Sequence, residues 1–346
     1  MIKRPLFTLT PPRLEYDLIE ADPIEPESIP VPSNLTLVLS EAIDGEKEMV
    51  LKKDAAVAKG EKLSLYADST EYAVSPASGT LTTIDTFTDS QGQAATYLVI
   101  STDSEQAEET EPAACDLEQN AASADGFLRT LPGAPPLKTL ADGDAKINTI
   151  VITGTDKDIL ATTSQYVAVT NLDKIAQGAK LLKQISSATE ICLTVPEKLN
   201  LNTTPEDLTV IRTDAAYPAS LPVMIMKDHL DMILEPGQTP EDVGVCFMSA
   251  EAVVSLVDAY ENKAAGFEKI ITVIGKQGAS HRVKATIGTP LYKVFKSRSI
   301  QINEQDRIIM GGPMTGYATF THHHPVEPDT DTVIIQDRDI IPELSN

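Results

Sequence analysis

Residues Phe267 to Gly316, FEKIITVIGKQGASHRVKATIGTPLYKVFKSRSIQINEQDRIIMGGPMTG, decide the fold of this chain. Ile270 to Ile274 is a β-branched run that stops at Gly275, which predicts a strand. His281 to Thr286 alternates in polarity and predicts its partner. Thr289-Pro290 reads as a helix start, with a hydroxyl N-cap and proline at the first helical position. A short helix from Leu291 to Ser297 follows. Arg307 to Met310 is a third strand, closed by Gly311-Gly312-Pro313. Strand, strand, helix, strand composes a small β-grasp unit.

The pairing of IGTPL (Ile287 to Leu291) with RIIMGGPMTG (Arg307 to Gly316) resembles the soluble-ligand-binding β-grasp (SLBB) module found in the C subunit of Rnf-type electron transport complexes. Upstream, residues 35–102 are β-rich. Val57-Ala-Lys-Gly-Glu-Lys-Leu63 resembles the VxKGxxL step of biotinyl and lipoyl domains. Ser75-Pro-Ala-Ser-Gly-Thr-Leu81 resembles the APxSGxV step of the same sandwich. Leu35 to Ser40 and Tyr97 to Ser101 flank them. Together they predict a barrel-sandwich hybrid, which the C subunit also carries at this place. The connection between the two steps, SLYADSTEYAV, has no lysine, so no swinging cofactor is expected and the domain reads as structural.

Residues 1–34 are proline-rich and acidic, and predict an extended arm on the surface, because proline removes donors and breaks helices. Residues 103–130 read as a linker. Asp103, Glu105, Glu108, Glu109, Glu111, Asp116, Glu118 and Asp125 crowd its first part, with no Lys or Arg among them.

Residues 131–265 alternate strand and helix. Ile147 to Thr153, Ile191 to Val195, Leu208 to Arg212 and Val243 to Met248 predict strands. Leu172, Ile175, Ala176, Ala179, Leu182 and Ile185 share one face of a helix capped by Asn171. A second helix spans Ala250 to Asn262. This order predicts a mostly parallel sheet covered on both faces, with ligands beyond the strand carboxyl ends. The fold class is thus α/β plus all-β: a barrel-sandwich hybrid, a central α/β domain and, over residues 266–316, an SLBB β-grasp. Residues 317–346 read as a tail in which Val333 to Gln336 is a closing strand.

The α/β region resembles the flavin- and NADH-binding domain of the complex I flavoprotein subunit. The resemblance implies a GGAGFP-type loop before the first strand. Here the loop is Leu131-Pro-Gly-Ala-Pro-Pro136, and its prolines remove amide donors, so phosphate cradling by it is not expected. An ECEP stretch is replaced by Asp156-Lys157-Asp158-Ile159, read as a solvated turn. Asp242-Val-Gly-Val245 is intact, but Ser249 stands near the family's Asn-bearing segment, and a YPxGGE stretch becomes Tyr217-Pro-Ala-Ser-Leu-Pro222. The candidate cofactor-binding residues are therefore Gly133, Asp156, Asp158 and Ser249. No catalytic residue and no metal ligand is assigned. The family also implies [4Fe–4S] segments with repeated CxxCxxCxxxCP. Cys115, Cys192 and Cys246 do not form one, and Cys192 and Cys246 sit in apolar runs typical of inert core thiols. FMN, NADH and clusters are family cofactors, and none is expected to bind here.

The chain has 346 residues and a formal net charge of −23, with 42% hydrophobic residues. That charge excludes nucleic acid and anionic lipid as direct partners. No apolar run approaches the ~20 residues of a membrane helix, and the N-terminus lacks the pattern of a signal peptide. A cytoplasmic location is expected, peripheral to the cytoplasmic membrane face. The partners implied are other subunits of a membrane electron-transport complex, with a scaffold or docking role for this chain. An active chain would be one component of an NADH-linked oxidoreductase complex. The alternative is an SLBB ligand- or carbohydrate-binding protein without redox role. His322-His323-His324 carries imidazoles that suit transition metals, yet adjacent residues of a strand point in different directions and do not close one site.

Overall fold

The computed structural model describes residues 21–69, 71–89, 92–103, 130–136, 140, 146–199, 201, 205, 208–262, 265–319 and 321–337. Cys115 and nearly all of the acidic linker lie outside them.

The chain enters through β1 (Glu27–Ser28), a two-residue edge strand. An N-terminal β unit follows, built from β2 (Asn34–Leu39), β3 (Ala56–Val57), β4 (Lys62–Leu63), β5 (Ala73–Val74), β6 (Gly79–Thr88) and β7 (Ala94–Thr102). It forms a four-stranded sheet in the order β2-β7-β6-β3 and a two-stranded sheet of β4 and β5. In β2 the residues alternate, so Leu35, Leu37 and Leu39 are all buried. Leu37 and Leu39 share a core with Leu63, Leu65, Leu81 and Leu98.

The α/β domain contains β8 (Thr149–Thr153), α1 (Thr163–Thr170), α2 (Leu172–Ile185), β9 (Glu190–Pro196), β10 (Thr209–Thr213), α3 (Pro222–His229), β11 (Val245–Ser249) and α4 (Ala250–Asn262). Its sheet runs β10-β9-β8-β11, and every pair is parallel. Helices α1, α2 and α4 bury Val167, Ile175, Leu182, Val253 and Leu256 in one large core with Ile150 and Ile152. On the opposite face α3 contributes Ile225 and Met226, packed with Val151, Cys192 and Val245. Asn171 does not cap α2 with its side chain, contrary to expectation; its Nδ2 donates instead to Val167 O, 3.3 Å away. The reason is α1, which the sequence reading missed and which runs directly into α2.

The last unit is a mixed sheet of β12 (Glu268–Ile274), β13 (Ser280–Thr286), β14 (Arg307–Met310), β15 (Tyr317–Thr319) and β16 (Thr332–Gln336), crossed by α5 (Leu291–Ser297). The order is β1-β13-β12-β16-β14-β15. The closing strand β16 does not sit at an edge. It lies between β12 and β14, parallel to the first and antiparallel to the second. The sheet therefore reaches Gln336, beyond the Gly316 boundary read from sequence, because β14 pairs with β16 and not with β12. Thr289 is not the cap of α5: Pro290 takes the N-cap place with extended backbone, and the buried Thr289 hydroxyl has no hydrogen-bond partner.

The IGTPL turn joins three segments. Gly288, at φ +90°, donates its amide to Val326 O (2.8 Å) and accepts from Thr36 N (2.8 Å). A Cβ there would lie 3.1 Å from Thr36 O, so glycine suits the turn on conformation and space alike. Among the described residues no helix is long and apolar enough to cross a membrane.

Candidate functional site

The four parallel strands of the α/β domain end together. Thr153 stands beside Thr194 and Ser249, and Thr213 beside Pro196. Open α/β sheets bind ligands beyond this edge, and the residues selected from sequence gather here in two groups.

Ser249 closes β11 and caps α4: its Oγ accepts from Ala252 N at 3.0 Å. Gly133 is pressed against this cap. At φ +83°, a Cβ on Gly133 would lie 2.4 Å from Ala252 N and 2.6 Å from Ser249 Oγ. The loop is also gripped from its other side, since Gly133 N donates to Pro328 O at 2.7 Å, and Ala134 N turns back to Leu131 O at 2.9 Å. Neither amide points into open space. Glu251, in the first turn of α4, sends one carboxylate oxygen to Ile270 N (2.9 Å).

Asp156 and Asp158 are not in a solvated turn; both are buried, which corrects the sequence reading. Asp156 faces the start of α1, accepting from Ser164 N (2.8 Å) and Gln165 N (3.2 Å). Burial nonetheless pushes its carboxyl up to about 6, against the lowering effect of these amides. Its backbone carbonyl accepts from Ser220 Oγ at 2.8 Å, which brings in the Tyr217–Pro222 loop. Asp158 reaches the C-terminal sheet. Its carboxylate accepts from Met314 N (3.0 Å), Thr315 N (2.5 Å) and Thr315 Oγ1 (2.7 Å). The GGPMTG turn thus folds around an aspartate 156 residues upstream of Met314.

The structure adds residues that sequence reasoning missed. Lys269 is fully buried on β12 and pairs with Glu251 of α4 and, at 2.8 Å, with Asp331. Burial alone would lower its ammonium, but Asp331 and Glu251 outweigh that and hold it above the ordinary lysine range. Burial raises Glu251. Thr163 Oγ1 donates to Asp331 O (2.8 Å) and lies 2.9 Å from Thr272 Oγ1. A lysine inside the run FEKIITVI is the only sequence signal for this cluster, and it reads equally as an edge residue of a strand.

Burial pushes the Cys192 and Cys246 thiols up to about 12. His322 and His323 stack on each other at 4.5 Å between ring centres and lie against Tyr292. Burial lowers His324, whose Nδ1 lies 2.9 Å from Pro325 O. Among the described residues no group of three or more His, Cys, Asp or Glu is arranged to hold a metal ion. Chemically, the strand ends present carboxylates engaged by backbone amides and a helix N-terminus covered by its own cap.

No protein-family model matches the chain. Over most of its length it is similar to the C subunit of ion-translocating oxidoreductase complexes. It is 22% identical over 318 residues to that subunit from Serratia proteamaculans (strain 568), covering 86% of this chain and 45% of the relative. It is 23% identical over 343 residues to that from Edwardsiella ictaluri (strain 93-146), covering 90% and 41%. The chain thus spans less than half the length of either. Among solved structures, a chain of an NAD+-reducing [NiFe]-hydrogenase in the H2-reduced state aligns with a TM-score of 0.45 and 12% identity, over 65% of this chain and 49% of that one.

Proposed function

We propose that this chain is a peripheral subunit of an ion-translocating oxidoreductase complex, related to the C subunit, that docks and scaffolds instead of carrying electrons. The similarity to C subunits supports the assembly. The role rests on one observation: Gly133 is seated on the Ser249 cap of α4, with its amide given to Pro328. A flavin phosphate is held by free amides at a helix N-terminus or a glycine-rich turn. Here Pro132, Pro135 and Pro136 have no amide hydrogen, the amides of Gly133 and Ala134 are committed, and Asp158 is spent on Met314 and Thr315. These residues do not fit FMN, and we assign this chain no flavin, nicotinamide or cluster chemistry. Its place is the cytoplasmic face of the membrane, with the other subunits of the complex as partners.

The test is a purification of the full chain from its own host. A colourless protein, no flavin released on denaturation, no saturable quenching of added FMN, and recovery with membrane oxidoreductase subunits are expected. Stoichiometric FMN on the purified chain would overturn the docking role, and recovery without any membrane subunit would overturn the assembly.

A further inference from the structure

A cavity of about 320 Å³ lies between the N-terminal arm, β13 and Thr162 at the start of α1. Arg282, Arg298, His281, Asp22, Glu25 and Glu27 help to line it. The arginines are its fixed half. The Arg282 side chain is 8% exposed and that of Arg298 15%, whereas their partners Asp22 and Glu27 are 59% and 65% exposed. Arg282 is held over the Tyr166 ring at 4.5 Å and donates to Thr162 Oγ1 at 3.3 Å. The Nε of both arginines is buried without a hydrogen-bond partner.

A guanidinium this buried requires a counter-charge and hydrogen-bond acceptors. The arm supplies them. Besides the two ion pairs, it is held by Arg282 donating to Asp22 O (2.6 Å) and Ile24 O (3.4 Å), by Ala21 N donating to Gln165 Oε1 (3.3 Å), by the two residues of β1, and by Ile29 N donating to Lys284 O (2.8 Å). In each ion pair the carboxylate is the solvated half, and it can exchange its arginine for water while the buried guanidinium cannot leave. Arginine forks match carboxylate and phosphate oxygens in geometry, and the volume is that of a small-molecule site. We propose that Arg282 and Arg298 form a binding cavity for a small organic anion bearing carboxylate or phosphate oxygens, and that Asp22 and Glu27 of the arm occupy it in the anion's place. Anion and arm compete, so binding loosens the arm from β13.

The chain has no tryptophan, so Ile24→Trp, at an exposed position lining the cavity, gives a single reporter on the arm. Inorganic phosphate and succinate are titrated into the full chain at constant ionic strength, with chloride as the screening control. A saturable emission change is expected with at least one probe, and the tighter of the two identifies the oxyanion preferred. Adding Asp22→Asn and Glu27→Gln is expected to tighten binding about tenfold. Arg298→Gln, folded by circular dichroism, is expected to weaken it at least tenfold. Where that variant does not fold, Arg298→Lys, which keeps the charge but not the fork, is expected to weaken it severalfold. No saturable response to either probe in the Asp22→Asn/Glu27→Gln protein, or a response unchanged by the Arg298 variants, overturns the proposal.

Discussion

The Asp158 carboxyl group occupies the space beside Gly312 that any other residue there would fill. A Cβ on Gly312 would lie 2.0 Å from Asp158 Cγ and 2.4 Å from Oδ1. The glycine is thus required by an aspartate from another domain, and the contact fastens the α/β domain to the turn after β14. Gly312→Ala is expected to cost ~2–3 kcal/mol by overpacking. Asp158→Ala is expected to cost ~2–3 kcal/mol by leaving the Met314 and Thr315 amides without their acceptor. The two should not add. Without the carboxylate the alanine has room, so the double variant should resemble Asp158→Ala alone in urea unfolding. Additive losses would show that the contact does not couple the two units.

Lys269 makes a second tie between the same units. Lys269→Met is expected to cost ~3–5 kcal/mol, because it leaves a buried Glu251 carboxylate unpaired. Asp331, with a side chain 25% exposed against 8% for Glu251, can recover water and suffers less. Adding Glu251→Leu should therefore restore part of the loss, though Ile270 N then loses its acceptor. Chemical denaturation of the three proteins measures this. A double variant no better than Lys269→Met would place the cost in packing instead of charge.

The loop at 131–136 carries two residues in the left-handed region, and they should respond oppositely. Gly133→Ala brings a Cβ to 2.4 Å from Ala252 N at φ +83°, and is expected to lose ~2 kcal/mol or more. Ala134 sits at φ +46°, where a side chain is unfavourable, so Ala134→Gly is expected to gain ~0.5–1 kcal/mol. Thermal unfolding of the pair reads the contrast.

What the sequence disclosed was local. The runs at 270–274 and 281–286 announced β12 and β13, and the spacing of Leu172 to Ile185 announced α2, because each buries a single face or stops at a glycine. Helix α1 gave no such signal. Thr163, Gln165, Tyr166, Val167 and Ala168 are all buried, so no polar face alternates with an apolar one. The place of β16 depends on pairing with β12 and β14, which no local pattern encodes. Gly133 and Ser249 were singled out by the family resemblance as cofactor-binding residues, and the contact between the left-handed turn at Gly133 and the cap at Ser249 depends on packing that no local pattern encodes. The true surroundings of Asp158 were hidden because its partners, Met314 and Thr315, lie in another domain.

Asp156 makes stability respond to mild acid. Burial raises its carboxyl to about 6 in the folded chain, above the ~3.9 of an unfolded aspartate. The folded state therefore holds its proton more tightly, and stability from this group is fully present below pH ~4 and lost as pH rises through about 6. Asp156→Asn cannot titrate. As pH falls from ~7 to ~4, the wild type should gain on Asp156→Asn by up to ~3 kcal/mol. Other groups in this window, such as Glu327, raised by burial to about 7, are shared by both proteins and cancel in the difference. At the acid end the two should be close in stability, since a protonated carboxyl and a carboxamide each present one carbonyl oxygen to the Ser164 and Gln165 amides. Urea unfolding across this range tests both statements. A difference that stays flat with pH would mean that Asp156 titrates as an ordinary aspartate despite its burial.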